Sequence, residues 1–142
     1  MMPAPETIAA LEDFRRARRQ ALMQEVLARL TRQSNELLSY EDVRRAQPGW
    51  APRTLDAELV DDLAGGLKRA KLLARKAPCG IELAPDDGHA AVTAKAGEPS
   101  VTVRGSVGEL VLWMFGRQAH AVVDYEGPDD AVTLAQTAKL GI

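Results

Sequence analysis

The sequence predicts an α+β protein: a helical N-terminal segment over residues 1–46, a linker over 47–53, and an α+β domain over 54–142. The order expected in that domain is α-β-β-β-α-β-α. Three observations carry this reading. Residues 6–33 contain no Gly or Pro and are rich in Ala, Leu, Arg, Glu and Gln, as a long helix requires. Ile81–Ala84, His89–Ala96, Val101–Arg104 and His120–Glu126 are set off by turn signals and read as short strands. Ser100–Arg117 runs an alternating strand into an almost wholly apolar helical stretch that closes on Gly-Arg, so a real core exists.

In the first helix Ile8, Leu11, Leu22, Val26 and Leu30 fall on one face, with Arg15 and Arg19 in the gap between Leu11 and Leu22. The apolar stripe is therefore interrupted in its middle. The arginines can lie along a partner with their stems packed and their heads in water. Ser34-Asn35 reads as a stop. Ser39-Tyr40-Glu41-Asp42 then resembles a capping box for a short helix to Ala46. Gln47–Arg53 holds two prolines and a glycine, which break regular structure.

Thr54 is expected to cap a helix over 55–76, acidic at its start and basic at its end, in accord with the helix dipole. Gly65-Gly66 marks a kink or a close backbone approach. Ile81–Ala84 and His89–Ala96 are expected to pair as a hairpin around Pro85-Asp86-Asp87-Gly88. In the third strand Val101 and Val103 point inward and Arg104 outward. Ser106 and Glu109 read as a capping box, and Gly116 as the αL cap of the same helix. His120–Glu126 reads as a fourth strand. Pro128 starts a last helix, with Gly141 at its C′ position and Ile142 packing behind it.

The 142 residues are 46% hydrophobic and 27% charged, with a net charge of -2. This is the balance of a globular chain and favours neither nucleic acid nor a membrane surface. A single Cys excludes an internal disulfide and a multi-cysteine metal cluster. No run approaches the roughly 18 apolar residues of a membrane span, and the N-terminus lacks the layout of a secretory signal. A cytoplasmic, bacterial-type protein is expected, with no cofactor and no metal.

Residues 55–142 resemble the C-terminal part of the DinB-like family of bacterial metal-binding proteins, a group that includes mycothiol-dependent maleylpyruvate isomerase. The matching pieces are Ala74–Ile81, Val101–Gly105, Gly108–Arg117 and Asp124–Gly127 through Leu140–Ile142. The resemblance implies a sterol-carrier-like α+β domain. In the family that domain packs on a four-helix bundle whose residues, largely histidines, hold the metal. Here the first 88 residues contain no His, so the N-terminal helices cannot supply that site. Arg117 aligns with an arginine that the family's C-terminal domain is thought to lend to the active site.

Several residues could carry chemistry. His89 and His120 titrate near neutrality, and their ordinary reading is a pair of strand-end histidines. Cys79 sits at a helix C-terminus, the wrong dipole end for a reactive thiolate. Arg104 and Arg117 could bind a carboxylate or phosphate. Trp113 and its neighbours could line a pocket for a small apolar ligand. Arg15, Arg16, Arg18 and Arg19 are the densest basic cluster, but nearby acids and sparse aromatics disfavour nucleic acid. The leading expectation is a non-catalytic interaction or regulatory protein. It would bind a protein partner or form a homo-oligomer through Leu11, Arg15, Arg19, Leu22, Val26 and Leu30. A metal- or thiol-dependent isomerase or transferase would instead need His89, His120 and Arg117 to converge.

Overall fold

The computed structural model describes residues 4–141, without the side chains of residues 23, 26–31, 33 and 34. The expected positions Val26, Leu30 and Ile142 therefore lie outside the described side chains. The architecture is α+β, in the expected order: α1 (Pro5–Arg45), α2 (Ala57–Leu67), α3 (Ala70–Leu73), β1 (Gly80–Pro85), β2 (Val92–Lys95), β3 (Ser100–Gly105), α4 (Val107–Met114), β4 (Asp124–Glu126) and α5 (Asp129–Thr137). The chain divides into two compact units, residues 1–36 and 37–142, and the division falls within α1.

The first correction concerns α1. It is one helix of 41 residues, and Ser34-Asn35 does not stop it. Ser39 is a mid-helix residue and caps nothing. Ser and Asn cost an interior position only about 0.5–0.7 kcal/mol each relative to Ala, and no Gly or Pro lies between residues 6 and 47. Leu37 and Leu38 are buried, so packing in the second unit favours continuing the helix. Residues 46–56 form neither helix nor strand.

The expected helix over 55–76 is two helices. Asp56, not Thr54, is the N-cap of α2, and its carboxylate accepts from Leu59 N at 2.9 Å. The helix breaks at Lys68-Arg69, just past Gly65-Gly66, where the missing side chains lower helix stability most. Leu63 and Leu67 of α2, with Ala70 and Leu73 of α3, are buried.

The sheet order is β2-β1-β3-β4. β1 and β2 form the expected antiparallel hairpin, but β2 covers only Val92–Lys95, so His89 lies in the connection and not at a strand start as expected; β3 is antiparallel to β4. β1 and β3 are parallel, with Ile81 opposite Val101 and Leu83 opposite Val103. All four side chains are buried, which fixes the register, because a slip by one residue would turn them all outward. Helix α4 packs on β1, β3 and α2, while α5 packs on β3 and α3 on β2. Gly116 has φ +85°, the left-handed value the αL cap needs. Gly141 lies beyond the end of α5, so it is not that helix's C′ residue; its N–H donates to Leu73 O. The fourth strand is short, covering only Asp124–Glu126.

Candidate functional site

The second unit contains a cleft of about 460 Å³, within the size range of small-molecule sites. Its walls come from the last turns of α1, residues 53–57, α2, the β1–β2 turn and the start of α4. Leu37, Leu55, Val60, Val107 and Leu112 supply apolar lining, and Glu41, Arg45, Arg53, Glu109, Asp61, Asp87 and His89 the ionisable one. Gly108 lets Leu55 approach α4: a Cβ there would meet Leu55 Cδ1 at 2.7 Å.

One wall is a buried charge network. Glu41, Arg45 and Glu109 are 1%, 5% and 8% exposed, so each charge must be met by a partner. The Arg45 guanidinium donates Nη1 and Nη2 to Glu109 Oε1 and Oε2, both at 2.6 Å, in a bidentate pair. Its Nε donates to Glu41 at 3.0 Å and its Nη1 also to His120 O at 2.7 Å. The guanidinium carbon lies 4.6 Å from the Trp50 ring centroid, close enough for a cation–π contact. Glu41 also accepts from Arg44 Nε at 3.1 Å and from Arg53 Nε at 2.7 Å. Burial pushes the Glu41 carboxyl up, but bonds from Arg53, Arg45 and Arg44 outweigh it and hold it below its ordinary value. Burial likewise works against the Arg45 charge, and the bonds from Glu109 and Glu41 raise it regardless.

Two expected capping boxes do not form. Ser39 lies inside α1, so Asp42, three residues on, caps nothing and pairs with Arg117 instead. Ser106 is the N-cap of α4 by backbone geometry, yet its side chain makes no capping bond. Glu109 binds Arg45 and accepts from Val122 N at 2.8 Å instead. Two signals pointed to this: Glu109 is the lone charge in an apolar helix, and Glu41 and Arg45 stand at i, i+4 spacing.

His89 also lines the cleft. Its Nδ1 is 2.8 Å from Asp87 Oδ1 and its Nε2 is 3.1 Å from Asp61 Oδ1. Asp87 first and then Asp61 hold the imidazole pKa above 6.5. A raised folded-state pKa contributes stability that is present below the unfolded value and is lost as pH rises through the folded one. His89 therefore joins the β1–β2 turn to α2 most firmly while the imidazole is protonated and Asp87 is still ionised. In Asp61→Asn the His89 pKa, followed by imidazole NMR shifts, moves back toward its ordinary value; an unchanged titration contradicts the contact.

The other expected site residues lie elsewhere. Neither Arg117 nor His120 lines the cleft that His89 lines. Arg117 donates Nε and Nη2 to the Asp42 carboxylate at 3.2 and 2.9 Å, and Nη1 to Phe115 O at 2.7 Å. The structure thus gives it a structural pairing in place of an open ligand site. Arg104 makes an exposed pair with Glu126 at 3.3 Å. Such pairs contribute about 0–1 kcal/mol, so Arg104→Ala shifts the denaturation midpoint little; a loss above 2 kcal/mol contradicts this. Trp113 is fully buried, and its Nε1 donates to Tyr125 Oη at 2.8 Å. It is core and does not line the cleft. Cys79 is buried, and burial pushes its thiol up. Among the described residues no three His, Cys, Asp or Glu side chains are placed to hold a metal ion.

The first unit presents a second candidate surface. Residues 4–22, 24 and 25 are all exposed, and Ile8, Leu11, Phe14 and Leu22 are large apolar side chains among them, 39–62% exposed. Arg15 and Arg19 share this exposed stretch with Leu11 and Leu22. Leu11→Ala and Leu22→Ala should therefore leave the stability of the second unit within about 0.5 kcal/mol; a loss of 2 kcal/mol contradicts that exposure. No described helix is long and apolar enough to cross a membrane. No family model, curated protein or solved structure matches the chain.

Proposed function

We propose that the chain is a non-catalytic interaction protein of the cytoplasm, in which the N-terminal part of α1 is the docking element and residues 37–142 are the scaffold. One observation carries this reading. The described side chains of the first unit form a single helical run with no core of its own, and its large apolar side chains face solvent. A helix alone in water is marginal, since most helical stability in proteins comes from packing an amphipathic face. The docking face gains that packing from a protein outside the chain or from a second copy. The resemblance of residues 55–142 to the sterol-carrier-like domain of DinB-like proteins supports the scaffold role, because residues 1–54 hold no histidine with which to form the family's metal site.

Limited proteolysis with light scattering on the same sample tests the proposal. In a monomer, residues 5–36 are cleaved while 37–141 survives; in an assembly, 5–36 is protected. A monomer whose residues 5–36 resist protease contradicts it.

The cleft supports a second reading, binding of a small amphipathic ligand. The ligand site proposed from sequence at Trp113 moves to this cleft. Arg45 lines it and stacks on Trp50, so Trp50 is the reporter, read in a Trp113→Phe background. Unchanged Trp50 emission across a panel of small amphipathic compounds removes this reading.

A further inference from the structure

We infer that the docking face of α1 is built for an acidic amphipathic helix of another protein rather than for a second copy of this chain. The inference rests on the docking role proposed above. Ile8, Leu11, Arg15, Arg18 and Leu22 follow intervals of three, four, three and four residues, which place them along one seam of the helix. All five are exposed. Arg19 borders the seam and Glu25 takes its next position, three residues beyond Leu22, whereas Glu6 and Asp13 fall on the opposite face. Asp13 there stands 3.9 Å from Arg16. Arg15, Arg18 and Arg19 make no ion pair within 4.0 Å among the described residues.

Charge and apolar surface thus share one face, with two successive seam positions cationic in its middle. In a parallel pair of copies, Arg15 would meet Arg15 and Arg18 would meet Arg18. In an antiparallel pair centred on them, Arg15 would meet Arg18; one shifted to set Arg15 against Glu25 would set Arg18 against Leu22 and leave that charge without an acid. Like or unmatched charges at seam positions select against such pairing. A helix with Asp or Glu facing these arginines and Leu-like residues facing Ile8, Leu11 and Leu22 meets both requirements. The arginine stems pack along it while the guanidinium heads pair. A duplex nucleic acid offers nothing apolar to the three aliphatic side chains. An anionic membrane favours cations on the polar face of a helix, but burying this stripe would carry Arg15 and Arg18 into the lipid.

The test is fluorescence anisotropy of the full chain with two labelled helical peptides. Each has Leu along its seam; one has Glu and the other Lys at two successive seam positions. The Glu peptide should bind, with affinity falling about tenfold or more as salt rises, and the Lys peptide should not. Combined Arg15→Glu, Arg18→Glu and Arg19→Glu should weaken the Glu peptide by on the order of a hundredfold and confer binding of the Lys peptide. Gain of the Lys peptide shows that the variant is folded. Equal binding of both peptides, or binding of duplex DNA or anionic vesicles without the Glu peptide, overturns the inference. A homodimer by light scattering that Leu11→Glu disperses also overturns it, while leaving the docking role standing. A monomer with residues 5–36 protease-resistant removes both.

Discussion

Arg45→Met is expected to be among the most destabilising single substitutions in the second unit, at about 3–5 kcal/mol. The methionine fills much of the aliphatic volume but supplies no charge. Glu109 then loses both bonds of a bidentate pair, and Glu41 loses one of its three arginine donors. Glu41 retains Arg44 and Arg53, whereas Glu109 keeps only the Val122 N–H, so most of the loss falls on Glu109. The double variant Arg45→Met with Glu109→Gln removes the stranded charge and should recover part of the loss. Urea denaturation gives both numbers. A single-variant loss below 1 kcal/mol, or a double variant worse than the sum of its parts, contradicts the network as the tie between the end of α1 and α4. Against the roughly 5–15 kcal/mol of a whole domain, the single loss is a large fraction of the total.

Trp113→Ala is expected to cost about 3–5 kcal/mol, the usual range for emptying a large aromatic site in a core. Trp113 has no exposed surface, its ring centroid lies 6.4 Å from that of Tyr125, and its indole N–H is bonded to the Tyr125 hydroxyl. Trp113→Phe keeps most of the apolar volume and loses the hydrogen bond, so it should cost about 1–2 kcal/mol. The ratio of the two separates packing from hydrogen bonding. If Trp113→Ala cost no more than Trp113→Phe, the residue would not be filling the core. A ligand-contacting tryptophan would behave oppositely, with stability little changed and binding lost.

Much of the fold was legible because its signals are local. The alternation through Val101 and Val103 set a buried strand face, Gly116 could accept the left-handed backbone that ends α4, and Pro85–Gly88 turned the hairpin. Where the reading failed, tertiary contacts overrode a local motif. Ser39 with Asp42 and Ser106 with Glu109 both have the spacing of a capping box, yet Arg117 takes Asp42 and the buried Arg45 takes Glu109, which spacing along one helix cannot reveal. Ser34-Asn35 reads as a stop only if nothing beyond it rewards the helix, and the burial of Leu37 and Leu38 does. The candidate site was less legible than the fold. The cleft joins α1, α2, the β1–β2 turn and α4, four segments far apart in sequence, whereas Arg117 and His120, close in sequence, lie outside it. The exposed face of α1 was visible as an interrupted stripe from the start, because it belongs to a single helix.

The central claim is that residues 5–36 need packing from outside the chain. Backbone amide hydrogen exchange on the dilute monomer tests it most directly. The expected result is fast exchange across 5–36, with strong protection in β1, β3 and α4, since marginal helices open freely while core strands open only with the whole unit. Protection of residues 5–36 equal to that of β3 in the dilute monomer would contradict the account, because the helix would then be stabilised without any partner.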